Sequence, residues 1–294
     1  MKTISIALAT YNGERYLRQQ IDSLLSQTMP FDEMIICDDN SSDSTTSIIN
    51  EYSARDNRIK LFRNKTNIGF KANFEQALSL CTGDFITLCD QDDIWLPGHI
   101  KTLYDSMGKS MLVCGDSMLI DKDGKSLKQR LSYIKNFRKK PYDCEAIFRF
   151  IVYYQNPFQG ASMMMRKEFL QIALPIPKVV KFHDTWFAHI SNLTNSFRYI
   201  PEPVTLYRMH GANASGNHVK HRRHMTILTH FKKKELDNNR REIVDALDEK
   251  KDSLPIAYPA LLEEAKKYYC CRRTFKNRCR NLLFELRNYI TIYN

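Results

Sequence analysis

The sequence lacks the patterns that assign a chain to several common classes. No apolar run in its 294 residues approaches the 18 or more that a membrane-spanning helix needs. Neither G-x-G-x-x-G nor G-x-x-x-x-G-K-[ST] occurs, which argues against dinucleotide-binding and P-loop folds. The eight cysteines include no C-x-x-C pair, and the chain has no internal repeats. We therefore interpret the cysteines as reduced residues of a cytosolic protein.

The N-terminus has only part of a secretion signal. Its apolar stretch is short, no cleavage-site pattern follows it, and a Tyr-Asn-Gly turn at residues 11–13 leads straight into a helical pattern. We interpret this stretch as the first buried strand.

Positive charge is concentrated near the C-terminus. The whole chain carries +11, and residues 220–294 contain eighteen Lys and Arg against ten Asp and Glu, a net charge of +8. Such a tail favours contact with nucleic acid or with an anionic membrane surface, and the interleaved aromatic residues fit amphipathic helices on a membrane. The alternative is the solvated face of a helical appendage or a homodimer contact.

Short apolar runs alternate with helical patterns through the first 114 residues. The predicted strands cover residues 4–9, 34–37, 59–62, 85–89 and 111–114, and amphipathic helical spacing separates them. This alternation predicts an α/β fold built from βαβ units on a parallel sheet. Further on, we expect a strand at 163–165, a helix from 183 and a strand at 204–208. Basic helices are expected beyond 217.

Three aspartates, Asp90, Asp92 and Asp93, follow the fourth predicted strand within four positions. Ligands of open α/β sheets bind outside the carboxyl ends of the strands, where Asp38 and Asp39 are also expected. Clustered carboxylates repel one another unless a cation lies among them, and Mg²⁺ or Mn²⁺ suits such a site and commonly brings a diphosphate. The alternative is a solvated turn in which Asp92 caps the next helix.

The motifs at these positions resemble those of the family-2 glycosyltransferases. The matching stretches are Ala-Thr-Tyr-Asn-Gly at 9–13, Cys-Asp-Asp-Asn-Ser-Ser-Asp at 37–43, Asn-Ile-Gly at 67–69 and Asp-Gln-Asp-Asp-Ile-Trp at 90–95. Two later stretches, at 183–186 and 207–213, resemble the bacterial branch that builds O-antigens and capsules, with many rhamnosyltransferases. The resemblance implies a Rossmann-like GT-A domain over 1–217, followed by a basic helical extension over 218–294.

The resemblance also implies an activity. It points to an inverting, metal-dependent glycosyltransferase that uses Mn²⁺ or Mg²⁺ and a nucleoside-diphosphate sugar, either dTDP-rhamnose or a UDP-hexose. The acceptor would be a lipid-linked saccharide or polysaccharide, at the cytoplasmic face of a bacterial membrane. A catalytically inactive nucleotide-sugar-binding scaffold and a nucleic-acid-binding protein are the alternatives.

Roles for individual residues follow from the same resemblance. The donor-binding residues would be Thr10, Tyr11, Asn12, Asp39, Asn67, Lys71, Asp90, Asp92, Arg208 and His210. Asp92 and Asp93 would hold the metal. Asp184 would be the base that takes a proton from the acceptor hydroxyl, with an N-cap of the following helix as the alternative. Acceptor contacts would come from Trp95, Gln159, Gly160, His183 and Trp186, and burial in the core is the alternative for both tryptophans.

Overall fold

The computed structural model of the chain describes residues 2–137, 142–211 and 234–270. Within these ranges nine strands form one sheet. They are β1 (Ile4–Thr10), β2 (Glu33–Asp38), β3 (Ile59–Arg63), β4 (Phe85–Asp90), β5 (Ile94–Trp95), β6 (Leu112–Ile120), β7 (Ser126–Arg130), β8 (Met163–Arg166) and β9 (Phe197–Arg208). Their spatial order is β3-β2-β1-β4-β8-β6-β9-β5, and β7 pairs with β6.

Helices cover both faces of this sheet. They are α1 (Leu17–Leu25), α2 (Thr45–Ser53), α3 (Phe70–Leu80), α4 (His99–Ser106), α5 (Leu131–Ile134), α6 (Cys144–Tyr153), α7 (Phe169–Ala173), α8 (His183–Leu193), α9 (Lys234–Lys250) and α10 (Pro259–Cys270).

The first half of the sheet follows the predicted βαβ pattern. β1 runs parallel to β2 and β4 on its two sides, and β3 runs parallel to β2. Alternate side chains of a strand enter different cores: Ala7 and Ile35 pack on one face, and Ile6 and Met34 pack on the other. Burial on both faces explains why β1, β2 and β4 are nearly continuous apolar runs in the sequence.

The second half of the sheet is mixed, which departs from the purely parallel expectation. β8 runs antiparallel between β4 and β6, and β9 runs parallel to β6. β9 begins at Phe197, seven residues before the predicted strand at 204. Pro201 and Pro203 hide the strand in the sequence because proline cannot donate a ladder hydrogen bond. The structure accommodates Pro203 opposite Asp116, where the register with β6 shifts.

The acidic stretch after β4 does not start a helix. The two-residue strand β5 follows it and pairs with β9, and α4 begins only at His99 with Gly98 as its N-cap. The alternative in which Asp92 caps the next helix is therefore wrong.

Helices α9 and α10 pack on the α/β part of the molecule. Their buried residues, among them Leu247 and Leu262, join the same core as α6 and α8. The predicted boundary at 217 and the basic segments at 218–233 and 271–294 lie outside the described residues, so these predictions are untested. Within the described ranges, no helix is long and apolar enough to cross a membrane.

Candidate active site

The strand order brings the two acidic clusters to one edge of the sheet. β1 lies between β2 and β4, and its last residues pair in register with both neighbours: Thr10 with Asp38, and Ala9 with Asp90. The carboxyl ends of β2 and β4 therefore flank the end of β1.

Asp38 is buried and its carboxylate is fully engaged. One oxygen accepts from the Thr10 hydroxyl at 3.0 Å and from the Ser41 hydroxyl, and the other accepts from the Ser41 amide at 2.9 Å. The Arg63 guanidinium adds an ion pair at 3.6 Å. Thr10 is buried as well, so its hydroxyl fixes the end of β1.

Asp39 is also buried, and it holds the loop before α3. Its carboxylate accepts from the amides of Ile68 and Gly69, each at 2.8 Å, and from the Asn64 side chain at 2.9 Å. Gly69 has φ +85°, a conformation that suits glycine, and the Asn67 side chain also accepts from its amide at 3.1 Å. Asp39 and Asn67 thus shape this loop, and their contacts with a nucleotide remain predictions.

The turn after β1 is fixed by hydrogen bonds of the Gln91 side chain and of its own Asn12 side chain. Gln91 donates to the Tyr11 carbonyl and accepts from the Tyr11 amide, both at 2.9 Å. The Asn12 side chain accepts from the Ser42 amide at 2.9 Å. The Tyr11 ring is 48% exposed at this edge, where it is open to a ligand. The sequence offered no signal for the part played by Gln91.

Asp92 and His210 are in direct contact although they are 118 residues apart. The Nε2 atom of His210 lies 2.6 Å from the Asp92 carboxylate. Arg208 lies beside them, since its Nε donates to the Asp92 carbonyl at 2.7 Å. Beneath both lies the ring of Tyr16, 4.5 Å from the Arg208 guanidinium carbon and 5.2 Å from the His210 ring centroid.

Arg208 is held from a third side by α1. Its terminal nitrogen donates to the Gln19 side chain at 2.7 Å, across 189 residues of sequence. Gln19 and Tyr16 were absent from the predicted site because nothing in an amphipathic helix pattern marks a contact over that distance.

Asp93 lies in the interior rather than in the cleft. One carboxylate oxygen accepts from the Arg208 amide at 2.9 Å, and the other accepts from the Gln159 side chain. Burial and the nearby charges of Asp92 and Asp90 raise its pKa well above the usual value. With both oxygens engaged and no exposed surface, Asp93 does not fit the predicted role of metal ligand.

Gln159 is buried as well, and it connects the acidic stretch to a chain of hydroxyl groups. Its carbonyl oxygen accepts from the Ser117 hydroxyl at 2.7 Å, and Ser117 contacts the Ser162 hydroxyl at 2.9 Å. Ser162 donates in turn to the Thr205 hydroxyl at 2.9 Å. These contacts make Gln159 a support for the carboxylates, and its predicted acceptor contact is untested.

Asp90 ends β4 and is half-buried. Burial raises its pKa to about 7, and the charges of Asp92 and Asp184 add to the rise. The structure therefore gathers three carboxylates from the end of β4 and the start of α8.

Asp184 lies in the first turn of α8 and is half-buried. Burial raises its pKa to about 6, and hydrogen bonds from Thr185 act in the opposite direction. The Thr185 hydroxyl donates to Asp184 at 3.1 Å and accepts from the Asn156 side chain at 3.1 Å. The N-cap of α8 is Phe182, so the interpretation of Asp184 as a helix cap is wrong.

His183 is packed between α3 and the loop before β8. Its ring centroid lies 4.3 Å from that of Phe74, and both ring nitrogens are buried without a hydrogen-bond partner. Burial lowers its pKa to about 4, so it is neutral at physiological pH. A Cβ atom at Gly160 would lie 2.5 Å from His183 Nε2, which explains the need for glycine there.

Both tryptophans belong to the core. Trp95 is 2% exposed and stacks on His99 at a centroid distance of 3.6 Å. Trp186 is fully buried and donates from Nε1 to the Ala173 carbonyl at 2.7 Å. Because neither ring reaches the surface, the structure favours core packing over stacking on an acceptor sugar.

Lys71 lies at the start of α3, and its ammonium is already engaged. It donates to three backbone carbonyls, those of Pro177 and Lys178 at 3.1 Å and that of Val180 at 2.9 Å. These contacts differ from the predicted contact with a diphosphate.

The fit of a metal ion rests on Asp92 and His210. The carboxylate of Asp92, with Asp90 nearby, supplies oxygen donors that suit Mn²⁺ or Mg²⁺, and the His210 imidazole in contact with Asp92 adds a nitrogen. No group of three or more His, Cys, Asp and Glu side chains in the described ranges has metal-binding geometry. The partial set fits a cation that is completed by phosphate oxygens and water.

Similarity to known proteins agrees with this geometry. A glycosyltransferase of Methanocaldococcus jannaschii, MJ1057, which is itself uncharacterized, is 28% identical over 247 residues, covering 80% of this chain and 82% of that protein. The crystal structure of S. aureus TarS 1-349 in complex with UDP-GlcNAc has a TM-score of 0.63 at 18% identity, covering 92% of this chain and 72% of that one.

A second solved structure has the same fold. The mannosyltransferase PcManGT from Pyrobaculum calidifontis, in complex with GDP-Man and Mn²⁺, has a TM-score of 0.57 at 14% identity, covering 96% of this chain and 74% of that one. These neighbours confirm the GT-A fold. The family model of Glycosyl transferase family 2 matches residues 5–171, more than half of the chain. The protein therefore belongs to glycosyl transferase family 2, whose members use nucleotide sugars.

Proposed function

We propose that this protein is an inverting, metal-dependent glycosyltransferase of cell-surface polysaccharide synthesis. The observation that carries the proposal is the proximity of three carboxylates, since Asp92 and Asp184 both lie close enough to Asp90 to raise its pKa. Two of them lie at the carboxyl end of β4, and the third lies in the first turn of α8. This arrangement suits a donor on one side and an acceptor hydroxyl on the other.

Asp92 and His210 would hold the cation. A divalent cation at this place supplies positive charge to the leaving nucleoside diphosphate. Arg208 donates to the carbonyl of Asp92, in the loop that follows β4, and to the side chain of Gln19. It fixes the loop in place before a substrate arrives, so little reorganisation is needed on binding.

Asp184 would act as the general base. In its ionised form it removes the proton of the acceptor hydroxyl while the hydroxyl oxygen attacks C1 of the donor sugar from the face opposite the diphosphate. The C1–oxygen bond to the diphosphate breaks as the new bond forms, and configuration inverts. A pKa of about 6 leaves Asp184 ionised near neutral pH and more basic than an ordinary aspartate.

The donor would be dTDP-rhamnose or a UDP-hexose. The structural neighbours carry UDP-GlcNAc and GDP-Man, so the base and the sugar must be determined by experiment. The acceptor would be a lipid-linked saccharide at the cytoplasmic face of the membrane, approached by a peripheral protein. The net charge of +8 over residues 220–294 supports attraction to an anionic leaflet.

A donor panel tests the proposal. The purified protein is incubated with UDP-, dTDP- and GDP-sugars in the presence of Mn²⁺ or EDTA, and release of nucleoside diphosphate is followed. We expect slow hydrolysis of one donor that requires the metal and is lost in Asp92→Ala. The control Asp123→Ala removes an exposed carboxylate and should keep the activity.

Two results would contradict this function. A thermal shift with one nucleotide but no turnover with any donor, even with added acceptor extract, would favour the inactive scaffold. Turnover that persists unchanged in EDTA would mean that the protein is a glycosyltransferase that does not depend on a metal.

A further inference from the structure

The segment that leads into α8 is held by the first turns of α3. Lys71 donates to the carbonyls of Pro177, Lys178 and Val180 at 2.9 to 3.1 Å. A lysine ammonium has three donors, and here each has a backbone acceptor on the same short segment. One side chain therefore organises three carbonyls that belong to neither a helix nor a strand.

Other residues on the same face of α3 extend this contact along the segment. The Glu75 carboxylate accepts from the Ile176 amide at 3.3 Å. The ring centroids of Phe70 and Phe182 are 5.7 Å apart. Phe74 contacts His183, the residue before Asp184, at 4.3 Å. Positions 70, 71, 74 and 75 share one side of a helix, so they act on residues 176–183 together.

The same turn of α3 is tied to the nucleotide side of the site. Gly69, its N-cap, donates its amide to Asp39, and Asp39 also holds Ile68. The start of α3 thus lies between the loop at Asp39 and the segment that carries Asp184.

We propose that Lys71 is a positioning residue for Asp184. It fixes the segment 176–183 against the start of α3, next to the loop that Asp39 holds. This inference rests on the proposed function, in which Asp184 is the base. A contact between Lys71 and a diphosphate would take the ammonium away from its three carbonyls and leave them without that donor. The structure therefore assigns Lys71 to the base side of the reaction rather than to the leaving group.

The test separates kcat from donor binding. Lys71→Met keeps an unbranched stem of four atoms and removes the ammonium. We expect kcat to fall about 10- to 100-fold because the base is displaced, while the Kd of the nucleoside diphosphate changes less than about twofold. The ligands are UDP, dTDP and GDP, titrated in turn. Lys71→Arg, which keeps a multiple donor, should recover part of kcat.

Two further variants control the test. Lys65→Met removes an exposed positive charge from the neighbouring loop and should leave both kcat and Kd unchanged. Glu75→Gln weakens the bond to the Ile176 amide and should lower kcat less than Lys71→Met does. If Lys71→Met proves unstable, Glu75→Gln tests the same contact between α3 and the segment 176–183.

Amide hydrogen exchange provides a readout that needs no activity. In Lys71→Met we expect faster exchange over residues 176–184 and unchanged exchange in β1, β2 and β4. The inference is overturned if Lys71→Met weakens nucleoside diphosphate binding about tenfold or more with kcat unchanged. It is equally overturned if exchange over 176–184 stays at the wild-type rate.

Failure of the proposed function has a different signature. If Asp184→Asn keeps full activity, Asp184 is not the base, whatever the exchange data for Lys71→Met show. If Asp184→Asn is inactive and Lys71→Met is fully active, Asp184 is supported as the base and Lys71 is not its positioning residue.

Discussion

Two acidic clusters flank the end of β1, and they differ in the groups that surround their carboxylates. Asp38 and Asp39, after β2, accept hydrogen bonds from backbone amides and from polar side chains. Asp90, at the end of β4, lies close to Asp92 and to Asp184, and it has a pKa of about 7 as a result of burial and of these charges. The first cluster stabilises loops, whereas the second needs a proton or a cation.

The difference lies in the donors that reach each cluster. Bonds from amides to a carboxylate contribute about 1.5 to 3 kcal/mol each, so the oxygens of Asp38 and Asp39 have their hydrogen-bond partners within the protein. At Asp92 the partner is His210, whose nitrogen can bind a cation as well as a carboxylate. Two aspartate clusters that look similar in the sequence therefore differ in the structure. The first is a structural site and the second is a candidate reactive site.

The largest expected effect concerns Asp184. Its pKa of about 6 lies above the ordinary value, and the base must be ionised, so kcat should rise with pH up to about 6 and level off above it. Asp184→Asn should lower kcat about 10²- to 10⁴-fold and abolish this rise. Steady-state kinetics between pH 5 and 8 measure both, with nucleoside diphosphate affinity as the control. If kcat of Asp184→Asn still rises near pH 6, the titration belongs to a group other than Asp184.

A smaller effect separates the two clusters directly. Asp92→Asn should reduce metal-dependent turnover by at least about 10- to 100-fold and raise the Mn²⁺ concentration needed for half-maximal rate. Asp38→Asn should leave the Mn²⁺ requirement unchanged and lower the free energy of unfolding by about 1 to 3 kcal/mol, because a buried acceptor is lost. Mn²⁺ titrations and urea unfolding measure the two quantities. Equal Mn²⁺ dependence in the two variants would remove the distinction.

The smallest effect concerns the support beneath the second cluster. Gln159→Leu removes the side-chain donor to Asp93 and the acceptor of the Ser117 hydroxyl. The free energy of unfolding should fall by about 1 to 3 kcal/mol. The matched variant Gln171→Leu, at an exposed position of α7, should unfold like the wild type. If both variants have the same thermal midpoint, Gln159 does not stabilise the cluster.

The strands β1 to β4 were predictable because their chemistry is local. β1, β2 and β4 are buried on both faces and appear as apolar runs, and the predicted limits of all four strands lie within a residue of the observed ones. The exposed strand β7 and its turn at Gly124 gave no such pattern, and residues 116–142 could not be placed. The strand predicted at 204–208 is shorter than β9 because Pro201 and Pro203 precede it in the sequence, and in the structure Pro203 pairs with Asp116 of β6.

The site was predictable in outline for the same reason. Aspartates after strand ends and the motif around Asp184 are local features, and the family resemblance named most of the residues that the structure brings together. The contacts that define their environment are not local. Asp92 meets His210 across 118 residues, and Lys71 meets Val180 across 109. The burial of Asp93 and of both tryptophans likewise follows from packing.

The sequence by itself determined the α/β order of the first half, the edge where the carboxylates collect and the family to which they point. Only the tertiary structure decided which carboxylates accept hydrogen bonds from nearby donors and which lie close to other carboxylates, and that Lys71 contacts residues 177–180. The reason is physical: the charge state of a carboxylate depends on its burial and on donors that arrive from distant parts of the chain.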